Sequence, residues 1–208
     1  MNLEGIKGEY DAVFSLGDLC LTSIELQKNN LRPFSGVLDW SASPSLKDVT
    51  RLLKNRFAQF MDLEHLKIIG YAGDHFICVL DETYSIVSNH DFERSKNSLF
   101  ELTTYKQVKE KYDRRIKRFL EAAAFCKRIL FVRTEGTYEE VIELESVLSQ
   151  LVTNDFNILL INHTDANGII ERHWPIERVC AVDFPDTDKW YGNEDYWKTA
   201  LAGIKITV

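Results

Sequence analysis

Between Arg128 and Ile161 two nearly continuous apolar runs flank one capped, amphipathic segment, and this pattern constrains the fold more than any other feature of the chain. The runs are Arg128 to Arg133 (Arg-Ile-Leu-Phe-Val-Arg) and Phe156 to Ile161, each short enough for a strand and nearly continuous in apolar residues. Between them Thr137 and Glu140 stand three residues apart, the spacing of a capping box, and predict a helix running to about Val152. A strand that is apolar on both sides of its pleat needs cover on both faces. Two such strands joined by a helix make a βαβ unit, which implies parallel pairing and a right-handed crossover.

The rest of the chain extends this plan. Tyr10 to Leu16 predicts a buried strand, Gly17-Asp18 the turn after it, and Leu19 to Lys28 a short helix ended by Asn29 and Asn30. Ser43 and Pro44 read as N-cap and first residue of a helix carrying Leu46, Val49, Leu52, Leu53, Phe57 and Phe60 on one face. Leu66–Gly70, Phe76–Leu80 and Tyr84–Ser88 predict a small antiparallel unit that delivers His90. Tyr105 to Phe125 is the longest predicted helix, Ile176 to Val182 a further strand and Asp195 to Leu201 a last short helix. With 208 residues, 45% of them hydrophobic, one core is enough. The expectation is a single three-layer α/β domain over residues 1–208, with a polar lead-in at 1–9, a mostly parallel sheet and a small antiparallel insertion.

Charge and cysteine usage narrow the chemistry. A formal charge of −7 argues against general nucleic-acid binding, which draws on clustered Lys and Arg. The basic run from Lys106 to Arg118 alternates with Glu110 and Asp113 and reads as a solvated helix face. No apolar stretch approaches the roughly 20 residues that span a bilayer, and Met1 to Asp11 is polar, so no membrane partner and a cytoplasmic location are expected. Four scattered cysteines without a CxxC pair suggest free thiols, no metal site and no cofactor. Cys78 and Cys180 lie in apolar runs and read as small buried hydrophobes; Cys126 reads as packing at a helix end.

The remaining cysteine differs. Cys20 falls where the first strand gives way to a helix, and there unpaired N–H groups and the helix dipole favour a thiolate. Downstream, Ser88-Asn89-His90-Asp91-Phe92 supplies a histidine with a carboxylate beside it. Cysteine, histidine and acid from separate elements are the material of a cysteine hydrolase acting on a peptide or small acyl substrate. His163, after the second apolar run, is the substitute base. For the acid, Asp91 adjoins His90, but neighbours on a strand face opposite ways; Asp39, beside Trp40, is the alternative. Gly17, Asp18 and Leu19 form the turn whose N–H groups would receive an oxyanion.

These pieces resemble, in order, a bacterial family of unknown function described as papain-like cysteine peptidases. The resemblance rests on Phe14-Ser15-Leu16-Gly17-Asp18-Leu19-Cys20, Leu38-Asp39-Trp40, Asn89-His90-Asp91-Phe92, Lys109 to Ile116 and Leu130 to Glu135, covering most of positions 10 to 165. It implies Cys20 as nucleophile, His90 as base and, as an alternative fold, a papain-like α+β arrangement. One departure is that Pro33-Phe34 lies upstream of Asp39-Trp40, where the family pattern has Pro-Phe directly before Asp-Trp.

Two further residues remain open between structure and function. Arg133 and Glu135 end the Arg128 strand two residues apart, and so read either as an ion pair or as substrate contacts, with Trp40 covering the site. A non-catalytic domain holding an anionic or sugar-nucleotide ligand on the same turn, with Arg133 assisting, is the alternative function. The aromatic segment Asp183 to Trp197 reads either as a groove or as cover for the core edge. Oligomeric state is not encoded in any of these features.

Overall fold

The computed structural model describes residues 1–207. Its centre is a five-stranded sheet in the order β2 (Ala12–Ser15), β7 (Arg128–Thr134), β8 (Asp155–Thr164), β10 (Val179–Pro185), β9 (Ile170–Arg172). The first four strands are parallel and only β9 runs antiparallel. The βαβ unit read from the sequence is present: α4 (Tyr138–Leu151) joins β7 to β8, and its capping box is complete, with Thr137 Oγ1 accepting from Glu140 N.

Alternate side chains of the sheet feed two cores. Phe14, Ile129, Phe131, Ile158 and Leu160 pack under α2 (Leu46–Lys54), α3 (Tyr105–Phe125) and α4. Val13, Leu130, Val132, Leu159, Ile161 and Val182 pack under α1 (Leu21–Lys28) and α5 (Glu194–Leu201). Burial on both faces is why these strands read as continuous apolar runs. A two-stranded parallel pair, β1 (Gly8–Tyr10) with β11 (Ile204–Ile206), brings the two ends of the chain together, so residues 8–9 of the expected lead-in are strand.

The antiparallel unit is a four-stranded sheet in the order β3 (Ser41–Ala42), β6 (Ile86–Glu93), β5 (Phe76–Asp81), β4 (Leu66–Ala72), and Ile77, Val79, Ile86 and Phe92 join the α2–α3–α4 core. The architecture is therefore mixed α/β, a mostly parallel main sheet with an antiparallel one beside it.

Three local expectations change. The α2 helix is capped by Ser45, whose Oγ accepts from Asp48 N, and not by Ser43. Ser43 is drawn instead to the turn after β2, where its N–H donates to the Asp18 carbonyl. The helix also stops at Lys54; Arg56, Phe57, Gln59 and Met61 take left-handed backbone, yet Phe57 and Phe60 are still buried. Finally β6 runs on to Glu93, so His90 and Asp91 lie inside a strand and not beyond its end.

Candidate active site

The turn after β2 is fixed by packing. Gly17 has φ of +90°, and a Cβ there would lie 2.1 Å from Ser43 Oγ and 2.9 Å from Arg133 Nη1. Glycine is required by these neighbours, which leave no room for a side chain. The Gly17 carbonyl accepts from Thr134 N and from Thr22 Oγ1, tying the turn both to β7 and to the start of α1.

Two of the expected oxyanion donors are already engaged. Gly17 N–H donates to Ser15 Oγ at 3.2 Å and Asp18 N–H to Thr134 Oγ1 at 3.2 Å. Among the described residues the N–H of Leu19 donates to no group and that of Cys20 only towards its own thiol, so these two remain for a ligand at the helix start. Burial pushes the Asp18 carboxyl up, with Arg133 pulling it the other way.

Cys20 is the N-cap of α1, half-buried, with no capping bond from its side chain. Burial pushes its thiol up, and its own backbone N–H offsets only part of that. The lowered thiol expected from the helix start is thus overridden by desolvation. The other cysteines are also free; Cys180 is buried, but Cys78 is only half-buried, its Sγ 3.4 Å from Asn89 Oδ1.

His90 projects from β6 into solvent between two rings. Trp40 meets it at a centroid distance of 5.9 Å and 75°, and Phe76 at 5.5 Å and 72°. The helix start and this aromatic group are joined by Ser23, whose single hydroxyl proton is shared between the Cys20 carbonyl (2.9 Å) and the Asp39 carbonyl (2.8 Å). No hydrogen bond links Cys20 to His90 among the described residues.

Neither candidate acid touches His90. Asp91 faces the other way: Oδ2 accepts from Ser88 Oγ and Tyr112 Oη, each at 2.7 Å, and Oδ1 pairs with Lys111 at 2.5 Å. Burial alone would push its carboxyl up, but Lys111, Tyr112 and Ser88 outweigh it and hold it below the usual range. A depressed carboxyl contributes stability that is complete above the unfolded value of about 3.9 and is lost as pH falls through the lower folded value. Asp91→Asn is expected to flatten this limb, read as urea stability against pH between about 5 and 2. An unchanged slope would mean that Asp91 carries none of it.

Asp39 is buried and held by Arg32 Nη1 at 2.9 Å and Gly36 N–H at 2.8 Å. Burial pushes its carboxyl up, with the Gly36 N–H and then Arg32 opposing. Arg32 itself lies over the Trp40 ring, 5.2 Å from its centroid. Nothing in the sequence pattern singled out Arg32; its spacing of seven residues from Asp39 belongs to an irregular loop with no period to read.

Arg133 and Glu135 separate. Arg133 is fully buried, donating Nη1 to the Leu16 carbonyl (2.8 Å), Nη2 to the Ser43 carbonyl (2.8 Å) and Nε to the Glu135 carbonyl (3.1 Å). Burial pulls its pKa down to about 10. Glu135 has φ of +61°, which breaks the strand alternation and sends its carboxylate to His163 Nδ1 (2.7 Å) and Lys189 Nζ (3.2 Å). Burial opposes ionisation there, but His163 and Lys189 hold Glu135 below its usual value. An ionised carboxylate only accepts, so the His163 proton is assigned to Nδ1; Nε2 is buried without a partner. No hydrogen bond joins His163 to Cys20 among the described residues.

Among the described residues no group of three or more His, Cys, Asp or Glu is placed to hold a metal ion, and no helix is long and apolar enough to cross a membrane. Trp190 and Tyr191 of the aromatic segment are exposed, whereas Trp197 is buried in the α1–α5 core.

Comparison with known proteins adds two findings. The model of the family described as "Putative papain-like cysteine peptidase (DUF1796)" matches residues 11–166. An uncharacterized protein of Acanthamoeba polyphaga mimivirus, R408, is 27% identical over 219 residues, covering 92% of this chain and 97% of its own. No solved structure matches.

Proposed function

This chain belongs to the family described as putative papain-like cysteine peptidases, and from that premise we propose a cysteine-dependent hydrolase or acyl transferase with Cys20 as nucleophile and His90 as base. The observation that carries the reading is the Ser23 bridge, which fastens the start of α1 to the segment bearing Trp40, whose ring lies against His90. Cys20 Sγ attacks the acyl carbon as His90 takes the thiol proton, and the leaving alkoxide or amine carries that proton away. Water then attacks the thioester, restoring the thiol and releasing the acid; an acceptor amine or alcohol in place of water gives transfer. The N–H groups of Leu19 and Cys20 would receive the oxyanion.

The alternative, an anion or sugar nucleotide held with help from Arg133, has less support, since the Arg133 guanidinium is spent on three backbone carbonyls and Ser43 Oγ. The test is incubation with p-nitrophenyl acetate, following p-nitrophenol release and locating acetyl by peptide mass spectrometry. Acetyl on Cys20 is expected, forming about 10² to 10⁴ times more slowly in His90→Ala. Acetyl absent from Cys20, or an unaltered rate in His90→Ala, would overturn the assignment.

A further inference from the structure

His90 lacks a hydrogen-bonding acid among the described residues, yet its exposed ring has two others against it. Trp40 and Phe76 both meet it near perpendicular, at 75° and 72°, the edge-to-face arrangement that aromatic pairs prefer. Phe76 belongs to β5, the neighbour of β6, and is placed by the sheet. Trp40 has no such support: it stands just before the two-residue strand β3, at the end of an irregular loop. Ser23 and Gly36 tie the backbone and carboxylate of the neighbouring Asp39, and the group that reaches the indole itself is Arg32.

The Arg32 guanidinium is nearly enclosed and pinned from three directions: Nη1 on Asp39 Oδ2 at 2.9 Å and on Ser35 Oγ at 3.3 Å, and Nη2 on Gln27 Oε1. Its carbon lies 5.2 Å from the Trp40 ring centroid, within range of a cation–π contact. A cation fixed in orientation by a buried carboxylate fixes the indole, and the indole limits where the imidazole can turn. The geometry points to Arg32 as a positioning residue for His90, with Asp39 holding Arg32 and Trp40 transmitting the constraint. Resting on the reading of His90 as base, this assigns to Asp39 the orienting task of a third catalytic residue, performed without contact with the histidine.

Two readouts test it, one independent of activity. In the wild-type protein, nuclear Overhauser contacts between the Trp40 and His90 rings are expected, and in Arg32→Gln they are expected to disappear while the Phe76–His90 contacts persist. Trp40–His90 contacts that survive Arg32→Gln would overturn the inference, whatever the protein catalyses. Acylation by p-nitrophenyl acetate supplies the second readout. Arg32→Gln is expected to slow Cys20 acylation about 10-fold in the wild-type background and to have no effect in His90→Ala, because a residue acting only through His90 has nothing left to act on. Equal slowing in both backgrounds means a general structural role and rejects the inference.

Should Arg32→Gln not fold, Trp40→Phe and Trp40→Ala replace it. The phenyl ring keeps an aromatic edge against His90 and is expected to retain most of the rate, whereas alanine loses it; equal rates reject the inference. If His90→Ala itself leaves acylation unchanged, the base assignment fails, and the Overhauser contacts still decide the positioning claim.

Discussion

Cys20→Ser is expected to lose acylation by p-nitrophenyl acetate by at least about 10³-fold, the scale on which nucleophile replacements act. Folding stability should stay within about 0.5 kcal/mol of wild type, because the side chain is half-buried, makes no capping bond and differs from serine by one atom. The loss is large because the attack depends on the thiol itself. A free thiol ionises at about 8.5 and burial moves Cys20 upward, so the attack relies on His90 taking the proton. A hydroxyl at the same place is far less acidic and a weaker nucleophile, so the same base has much less to activate. A serine variant that retains a tenth of the wild-type rate would move the nucleophile elsewhere, and the acetylated peptide would say where.

Arg133→Ala is expected to be the most damaging single substitution for stability, costing on the order of 3–5 kcal/mol. Three carbonyls converge on this guanidinium, from Leu16 at the end of β2, Ser43 ahead of α2 and Glu135 after β7, and Ser43 Oγ adds a fourth contact at 3.2 Å. Each carbonyl left buried and unpaired costs roughly 1–3 kcal/mol. Arg133 is itself an uncomfortable guest, its pKa pulled down to about 10 by burial, so part of the loss is returned when the charge is removed. Lysine should recover less than half, since a single ammonium cannot reproduce a planar fork aimed at three separate carbonyls. Urea titration measures both variants. A cost under about 1 kcal/mol for Arg133→Ala would show that the three segments are held by other means.

The regular parts of this molecule were legible in the sequence because periodicity reports burial. β7, α4, β8 and α3 follow from runs and caps that obey local rules, and Thr137 with Glu140 announced the start of α4 in side-chain chemistry alone. Where local rules offered two answers, tertiary contacts chose. Ser43 and Ser45 both flank Pro44, and only the pull of the Gly17–Asp18 turn on Ser43 leaves the cap to Ser45. Phe57 and Phe60 keep helical spacing without being helical, because the core accepts their rings from a left-handed turn as readily. At the candidate site, Cys20, His90, Asp39 and Trp40 were identifiable by residue type and order. Arg32 was not, and neither was the divergence of Arg133 from Glu135. The first depends on a guanidinium meeting an indole across an irregular loop, the second on one left-handed residue that cancels strand alternation. Neither leaves a periodic trace.

β2 pairs with β7, Ala12 beside Ile129 and Ser15 beside Val132, while α1, α2, α3 and the whole antiparallel sheet lie in the chain between them. By contrast, β7 and β8 are separated only by α4. Closing the longer loop carries the greater entropic cost, so β7–α4–β8 is expected to assemble first and β2 to dock late. Pulsed amide labelling during refolding would read this as delayed protection of Val13 and Phe14 relative to Leu159 and Leu160. Cys20 follows β2 directly and gains its surroundings only when that strand arrives. With that order, the thiol would stay an ordinary one until β2 docks on the β7–α4–β8 unit.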